Sequence, residues 1–147
     1  MKITEILMAE HSVFHNLFDH IEAVVPEAKT LGEVKSLATL VDKLHAPHAR
    51  TEDDLFMEPL EHCIDQIGQN QTFHEEHRRI EEMLARVQTA RTLRAAKALL
   101  LGAVATSREH FDKEERIVFP LAEQVMNSNT LTRLGEEWMK KREAALK

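Results

Sequence analysis

Residues 99–121 read LLLGAVATSREHFDKEERIVFPL and carry the clearest periodic pattern in the chain. The candidate core positions recur at steps of four and three, which is the spacing of one face of an α-helix. They are Leu99, Ala103, Thr106, His110, Glu114, Ile117 and Leu121. This segment, about 93–124, therefore predicts a long amphipathic helix with a histidine and a glutamate one turn apart on its buried face.

Three earlier segments have the same period, and each has a histidine on its inner face. The inner positions of the first are Leu7, His11, Phe14, Phe18, Ile21 and Val25; of the second, about 31–62, Leu37, Val41, Leu44, His48, Glu52 and Leu55; of the third, about 69–91, Phe73, His77, Ile80, Leu84 and Val87. Pro47 removes a backbone donor and is expected to kink the second helix just before His48.

The last part of the chain predicts one more helix. Asn127, Ser128 and Asn129 form a polar break, and Leu131, Leu134 and Trp138 follow at helical spacing. Long amphipathic helices joined by short connections form antiparallel bundles. We therefore expect an all-α fold in a single domain, 1–147, with an antiparallel up-down four-helix bundle over about 1–126 and a short C-terminal helix over about 130–146.

Composition limits the environment and the partners. The 147 residues include 19 Lys and Arg against 25 Asp and Glu, a formal net charge of −6. This balance argues against nucleic acid or an anionic membrane as a partner, because both favour a basic surface. The single cysteine cannot form an internal disulfide, and neither a transmembrane run nor a signal peptide is visible in the sequence. We expect a cytoplasmic protein.

The histidines belong to an internal repeat. Glu10-His11 resembles Glu76-His77, and His48-Ala-Arg-Thr-Glu52 resembles His110-Phe-Asp-Lys-Glu114. Each histidine stands roughly 14 to 17 residues from its interhelical connection, which is roughly 21 to 26 Å of helix at ~1.5 Å per residue. In an antiparallel bundle all four histidines then point inward at about the same level.

A metal cluster explains this arrangement best. Glu52 and Glu114 lie one turn beyond their histidines on the same face, so the interior would hold four imidazoles and two carboxylates. Without partners such groups are costly to bury, and the two carboxylates would repel one another. Imidazole and carboxylate together suit iron, manganese or zinc. Two carboxylates shared between two pairs of histidines suit two bridged ions.

The motifs resemble those of the hemerythrin-like, His-His-Glu cation-binding family over roughly residues 3–126. They are Glu10-His11, His48-Ala-Arg-Thr-Glu52, Glu76-His77, and His110-Phe-Asp-Lys-Glu114 with the following Phe119-Pro120. The resemblance implies a four-helix bundle that holds two non-haem iron ions with an oxo or hydroxo bridge. It implies terminal iron ligands at His11, His48, His77 and His110, and bridging carboxylates at Glu52 and Glu114.

The chain departs from the oxygen-carrying members of that family. Those have a second ligand histidine four residues earlier on the third helix, where this chain has Phe73, and a His-x4-Asp on the fourth, where this chain has His-x3-Glu. Two six-coordinate ions offer about twelve positions, and this donor set with one bridging oxygen fills about ten. About two open positions favour dioxygen, nitric oxide or peroxide as the ligand.

Three functional hypotheses follow. The first is reversible binding of such a small molecule for sensing, carriage or a stress response. The second is a redox enzyme, or an iron donor in the repair of nitrosative or oxidative damage, at the same centre. The third is a helical interaction module that is metal-free or holds metal only structurally. The sequence leaves open whether the protein is an enzyme.

Other side chains could change the ligand count. His15 lies four residues after His11 and His74 three residues before His77, so both are further candidate ligands. His20, His45 and His62 are predicted to be surface or packing residues. Asp53 and Glu115 each follow a candidate carboxylate ligand and point roughly 100° away from it, so they are expected to face solvent or to support a ligand.

Overall fold

The computed structural model describes residues 1–68 and 70–146, which are helical almost throughout. The helices are α1 Ile3–Val24, α2 Leu31–Glu52, α3 Glu58–Gln66, α4 Asn70–Thr89, α5 Leu93–Lys113, α6 Phe119–Val125 and α7 Ser128–Leu146. The described residues contain no strand. In these same ranges, no helix has the length and apolar character that crossing a membrane requires. The predicted third-helix start, Gln69, and the last residue, Lys147, lie outside the described residues.

Four long rods and one further helix make up the bundle. A π-helical turn at Asp53–Met57 joins α2 to α3, and a second one at Glu114–Val118 joins α5 to α6, so each pair runs on as one rod. The helix continues through Pro47. The predicted all-α bundle is confirmed. The C-terminal helix, Ser128–Leu146, lies where it was expected, at about 130–146.

Local sequence explains where the rods begin. Thr30 accepts a hydrogen bond from the Glu33 backbone N–H through its hydroxyl, while the Glu33 carboxylate accepts from the Thr30 N–H, so the two residues cap α2 reciprocally. Thr92 caps α5 in the simpler way, by accepting from the Ala95 N–H at 3.1 Å. Gly68 has φ +73°, a conformation that glycine adopts without strain, and it reverses the chain before α4.

The two π turns shift the buried face of their rods by one residue. After Glu114 the buried face continues through Val118 and Ala122, where the regular period predicts Ile117 and Leu121, which are only half-buried. A π turn holds one more residue than an α turn, so core positions four residues apart remain on the same face across it. The equivalent shift after Glu52 buries Phe56 instead of the predicted Leu55.

Before the π turns, α2 and α5 also depart from the predicted inner faces. In α2, Leu44 is 45% exposed and the neighbouring His45 is 1% exposed. In α5, Leu100 and Ser107 are buried, whereas Leu99 and Thr106 are only half-buried. The predicted inner faces of α1 and α4 are buried at every position.

Two apolar clusters fill the interior and leave a polar layer between them. The first surrounds Phe18 and Leu100, and the second surrounds Phe56 and Trp138. The buried polar and charged side chains include the histidines and glutamates predicted at the centre. The fold thus places the candidate ligands at one level, between two apolar regions that supply no metal ligand.

Gly135 tests the docking of α7, because a Cβ atom there would overlap the carbonyl oxygen of Met1 and lie 3.1 Å from the Ile3 nitrogen. We expect Gly135→Ala to lower the free energy of unfolding by about 1–3 kcal/mol, since the chain start must move. Gly32→Ala is the matched control, because its Cβ would meet nothing closer than 3.9 Å. It should be neutral or raise stability by up to about 1 kcal/mol. Urea unfolding measures both; equal effects would contradict the close packing of α7 on α1.

Candidate metal centre

The polar layer brings together all six side chains of the main predicted ligand set. His11 comes from α1, His48 and Glu52 from α2, His77 from α4, and His110 from α5; Glu114 begins the second π turn. All six are buried. Every one of the four rods therefore contributes one imidazole to the same enclosed space, as the spacing of the histidines predicted.

Glu52 lies between two pairs of histidines. Its Oε2 is 3.9 Å from His11 Nε2 and 3.4 Å from His48 Nε2. Its Oε1 is 3.4 Å from His77 Nε2 and 3.9 Å from His110 Nε2. Each oxygen thus faces its own pair, which is the geometry of a carboxylate that could bridge two cations.

Glu114 approaches one histidine of each pair. Its Oε1 lies 3.1 Å from His110 Nε2 and 3.8 Å from His11 Nε2. The side chain therefore stands across the same two groups as Glu52, from a different rod. Glu114 therefore lies within reach of both groups.

Four further carboxylates hold the outer nitrogens of the imidazoles. His11 Nδ1 donates to Glu115 at 3.2 Å and His48 Nδ1 to Glu10 at 3.2 Å. The other two bonds run from His77 Nδ1 to Asp53 at 3.3 Å and from His110 Nδ1 to Glu76 at 3.5 Å. A carboxylate can only accept, so the proton sits on Nδ1 and Nε2 is directed at the centre.

These four hydrogen bonds form a closed ring around the bundle. Each one links neighbouring rods, from α1 to α2, α2 to α4, α4 to α5 and α5 back to α1. Each carboxylate is the sequence neighbour of a residue at the centre, as Glu10 is of His11 and Asp53 is of Glu52. The internal repeat therefore builds both the centre and its supports.

The inner atoms fit cations. The four Nε2 atoms and the four oxygens of Glu52 and Glu114 are buried without a hydrogen-bond partner. Donor atoms of His11, His48 and Glu52 lie within 4.8 Å of one another, and so do those of Glu52, His77 and His110. Unpaired polar atoms are costly to bury, and a cation satisfies such lone pairs directly. The two groups share Glu52, so two neighbouring ions suit the donor set.

The pKa values of the two glutamates are shifted in opposite directions. Burial raises the pKa of Glu52, but the nearby imidazoles of His11 and His110, then those of His48 and His77, bring it well below its ordinary value. Burial and the neighbouring Glu52 charge raise the pKa of Glu114. Two carboxylates in one dry site resist a second charge, and a multivalent cation would relieve that repulsion.

Protons stabilise the histidines when no cation is present. Burial alone would lower the pKa of His48, but the hydrogen bond to Glu10 and the nearby Glu52 carboxylate raise it to about 9. For His77, burial is outweighed by Asp53 and Glu52, which also raise its pKa to about 9. The pKa of His110 is raised as well, with Glu114 opposing the effect of burial. A cation must therefore displace protons to enter the site.

The further candidate ligands lie away from these groups. His15 is partly exposed, and its Nδ1 accepts a hydrogen bond from Arg108 at 2.8 Å. His74 is exposed and lines a surface cavity beside Glu58. His20 and His62 are exposed, as expected.

Sequence reasoning missed the roles of three side chains. Glu10 and Glu76 support ligands on neighbouring rods, and the signal for this was their repeated position before His11 and His77. Asp53 and Glu115 do support ligands, one of the two roles expected for them. His45 is buried with both ring nitrogens unpaired; its signal was its position three residues before His48.

Comparison with known families identifies the same domain type. The family model described as the hemerythrin HHE cation binding domain matches residues 2–122 and, in a second overlapping match, residues 68–144. The second match starts near the second half of the internal repeat. No match is found among the curated proteins or among the solved structures.

Asp53 and Asp54 offer a matched test of the supporting ring. Asp53 holds His77, whereas Asp54 is exposed and approaches Lys141 at 3.9 Å. We expect Asp53→Ala to weaken the binding of a divalent ion about 10–100-fold, because His77 loses its orienting acceptor. Asp54→Ala should bind as wild type. Competition with a chelator measures both, and equal affinities would contradict the role of Asp53.

Metal affinity should depend on pH. His48 and His77, one in each ligand group, carry a proton below a pKa of about 9. Each ion then displaces at least one proton, so its apparent affinity should rise about tenfold per pH unit from pH 6.5 and level off near pH 9. Titration with Co²⁺, followed by absorption, measures this slope. A flat profile would show that these imidazoles do not exchange protons for metal.

Proposed function

This chain belongs to the hemerythrin HHE cation-binding family, and we propose that it holds two iron ions which bind dioxygen, nitric oxide or peroxide. Under this proposal the protein acts in the cytoplasm in sensing, carriage or a stress response. Family membership supports cation binding, and the identity of the metal and of the small molecule is our inference from the donor set.

The observation that carries the proposal is that the unpaired Nε2 atoms of the four histidines and the oxygens of the two glutamates are directed at one enclosed space. His11 and His48 would hold one ion, and His77 and His110 the other. Glu52 presents a separate oxygen to each pair, so it would bridge the ions, and Glu114 would be the second bridge. A mixed imidazole and carboxylate set with no thiolate suits iron and leaves manganese and zinc as the competing ions.

Phe73 supports an open coordination position. It is buried beside the centre, with its ring 5.4 Å from the ring of His110. A phenyl ring donates no lone pair to a metal, so the pair His77 and His110 has no third imidazole at this position. When bound, iron would supply redox chemistry and an exchangeable site for the small molecule. The protein's part is to keep that site dry and to fix the imidazoles.

The first experiment is metal content together with the near-ultraviolet spectrum of freshly purified protein. We expect about two irons per chain and ferric oxo-bridge absorption that bleaches with dithionite and returns in air. A single tightly held zinc that never bleaches would overturn the redox proposal. Multiple turnovers with peroxide or nitric oxide would instead favour a redox enzyme, and transfer of iron to a damaged acceptor would favour an iron donor.

Variants test the ligand assignment. His48→Ala and Glu52→Ala should each lose most of the bound iron, because one removes a terminal donor and the other removes the shared carboxylate. His62→Ala is the control, since His62 is exposed and bonds only to Gln66 among the described contacts. It should keep the wild-type iron content. Iron close to two per chain in both ligand variants would rule out the assignment.

A further inference from the structure

His45 is a buried histidine that the metal centre leaves unused. It lies in α2 one turn before His48, and it is 1% exposed. Neither ring nitrogen has a hydrogen-bond partner. A buried imidazole without a partner costs stability, and a leucine of similar size would pack in an apolar core without that cost.

The ring of His45 lies between the two ligand groups. Its centroid is 6.5 Å from that of His48 and 6.1 Å from that of His77, and these histidines belong to different groups. The ring centroids of Phe14 and Phe111 are 6.2 and 6.4 Å from the ring centroid of His45. The side chain is therefore enclosed by two candidate ligands and two apolar rings.

His45 lies on the side of the centre that the glutamates do not cover. Glu52 and Glu114 come one turn after their histidines, whereas His45 comes one turn before His48. Within the described chain, the buried polar side chains one turn before the α2 and α5 histidines are His45 and Ser107. The Ser107 hydroxyl already donates to the Ala103 carbonyl at 2.8 Å. Only the imidazole of this pair retains an unused donor.

His45 is not a seventh member of the ligand groups. Within each group the donor atoms lie within 4.8 Å of one another, and His45 is in neither group. Its ring stands beside those of His48 and His77, one layer outside the ligands. A neutral imidazole keeps one N–H, and neither nitrogen of His45 has a partner that would use it.

Phe14 borders both His45 and an open cavity. The cavity has a volume of about 380 Å³ and is lined by residues of α1, α2 and α7, among them Phe14, Leu44, Pro47 and Arg142. Phe14 contacts this cavity and the rings of His45 and His48.

We propose that His45 donates a hydrogen bond to a small molecule bound at the second open position of the centre, on the side away from Phe73. This inference rests on the proposed function and deepens it: the preferred ligand is one with an acceptor atom beyond the atom that binds the metal. His45 would thereby favour small anions and polarised diatomic molecules over ligands that cannot accept a hydrogen bond.

Azide is the probe, because it binds ferric ions and accepts a hydrogen bond at its far end. In the iron-loaded protein we expect His45→Leu to raise the azide Kd about tenfold, as loss of one buried hydrogen bond implies. His45→Gln keeps an N–H donor and should stay within about threefold of wild type. The exposed His20 gives the matched control, His20→Leu, with wild-type affinity. All four proteins should hold about two irons per chain.

Infrared spectra separate hydrogen bonding from packing. The stretching band of bound azide should shift between H₂O and D₂O in wild type and in His45→Gln, and the shift should vanish in His45→Leu. An unchanged azide Kd in His45→Leu would overturn the inference, and so would iron falling to one per chain, since His45 would then be a ligand. Wild-type protein without bound iron would instead overturn the proposed function, and this inference with it.

Discussion

The free-energy cost of removing the polar layer from water is the main constraint on the stability of this bundle. Eight inner nitrogen and oxygen atoms of the six central side chains are buried without partners. At about 1–3 kcal/mol each, their cost is comparable with the whole stability of a small domain, about 5–15 kcal/mol. Protons on His48 and His77, facing the charged Glu52, offset part of this cost in the metal-free chain. Cations would offset more of it, so metal binding and folding are coupled.

One π turn begins directly after Glu52 and the other begins at Glu114, so both lie at that layer. The six central positions and the inner faces of α1 and α4 could be predicted from the sequence, because those two helices are regular. Beyond each glutamate the period predicted Leu55 and Ile117 as core positions, and the structure buries Phe56 and Val118 instead. A periodicity argument assumes one helical pitch, and a residue added to one turn breaks it. Such turns occur often at functional sites, which agrees with their position here.

The supporting ring was predictable only in part. The sequence shows Glu10 and Glu76 beside histidines of their own helices, but each carboxylate reaches the histidine of the next rod. That geometry depends on how neighbouring helices are rotated against one another, which one-dimensional spacing does not specify. The sequence predicted His45 only as a surface or packing residue, because Leu44 fits the apolar period better. A hydrophobic pattern cannot indicate that an imidazole is buried.

The fifth helix makes the two halves of the repeat unequal. Glu10 accepts hydrogen bonds from the Trp138 indole and from Arg142 of α7, in addition to His48. Its counterpart Glu76 accepts hydrogen bonds from Lys113 and His110, both in α5, and neither comes from α7. The indole is an uncharged donor inside the second apolar cluster, and the lysine is a charged donor near solvent. The imidazoles of the two central pairs therefore have unequal supports, although the motifs of the repeat are similar in sequence.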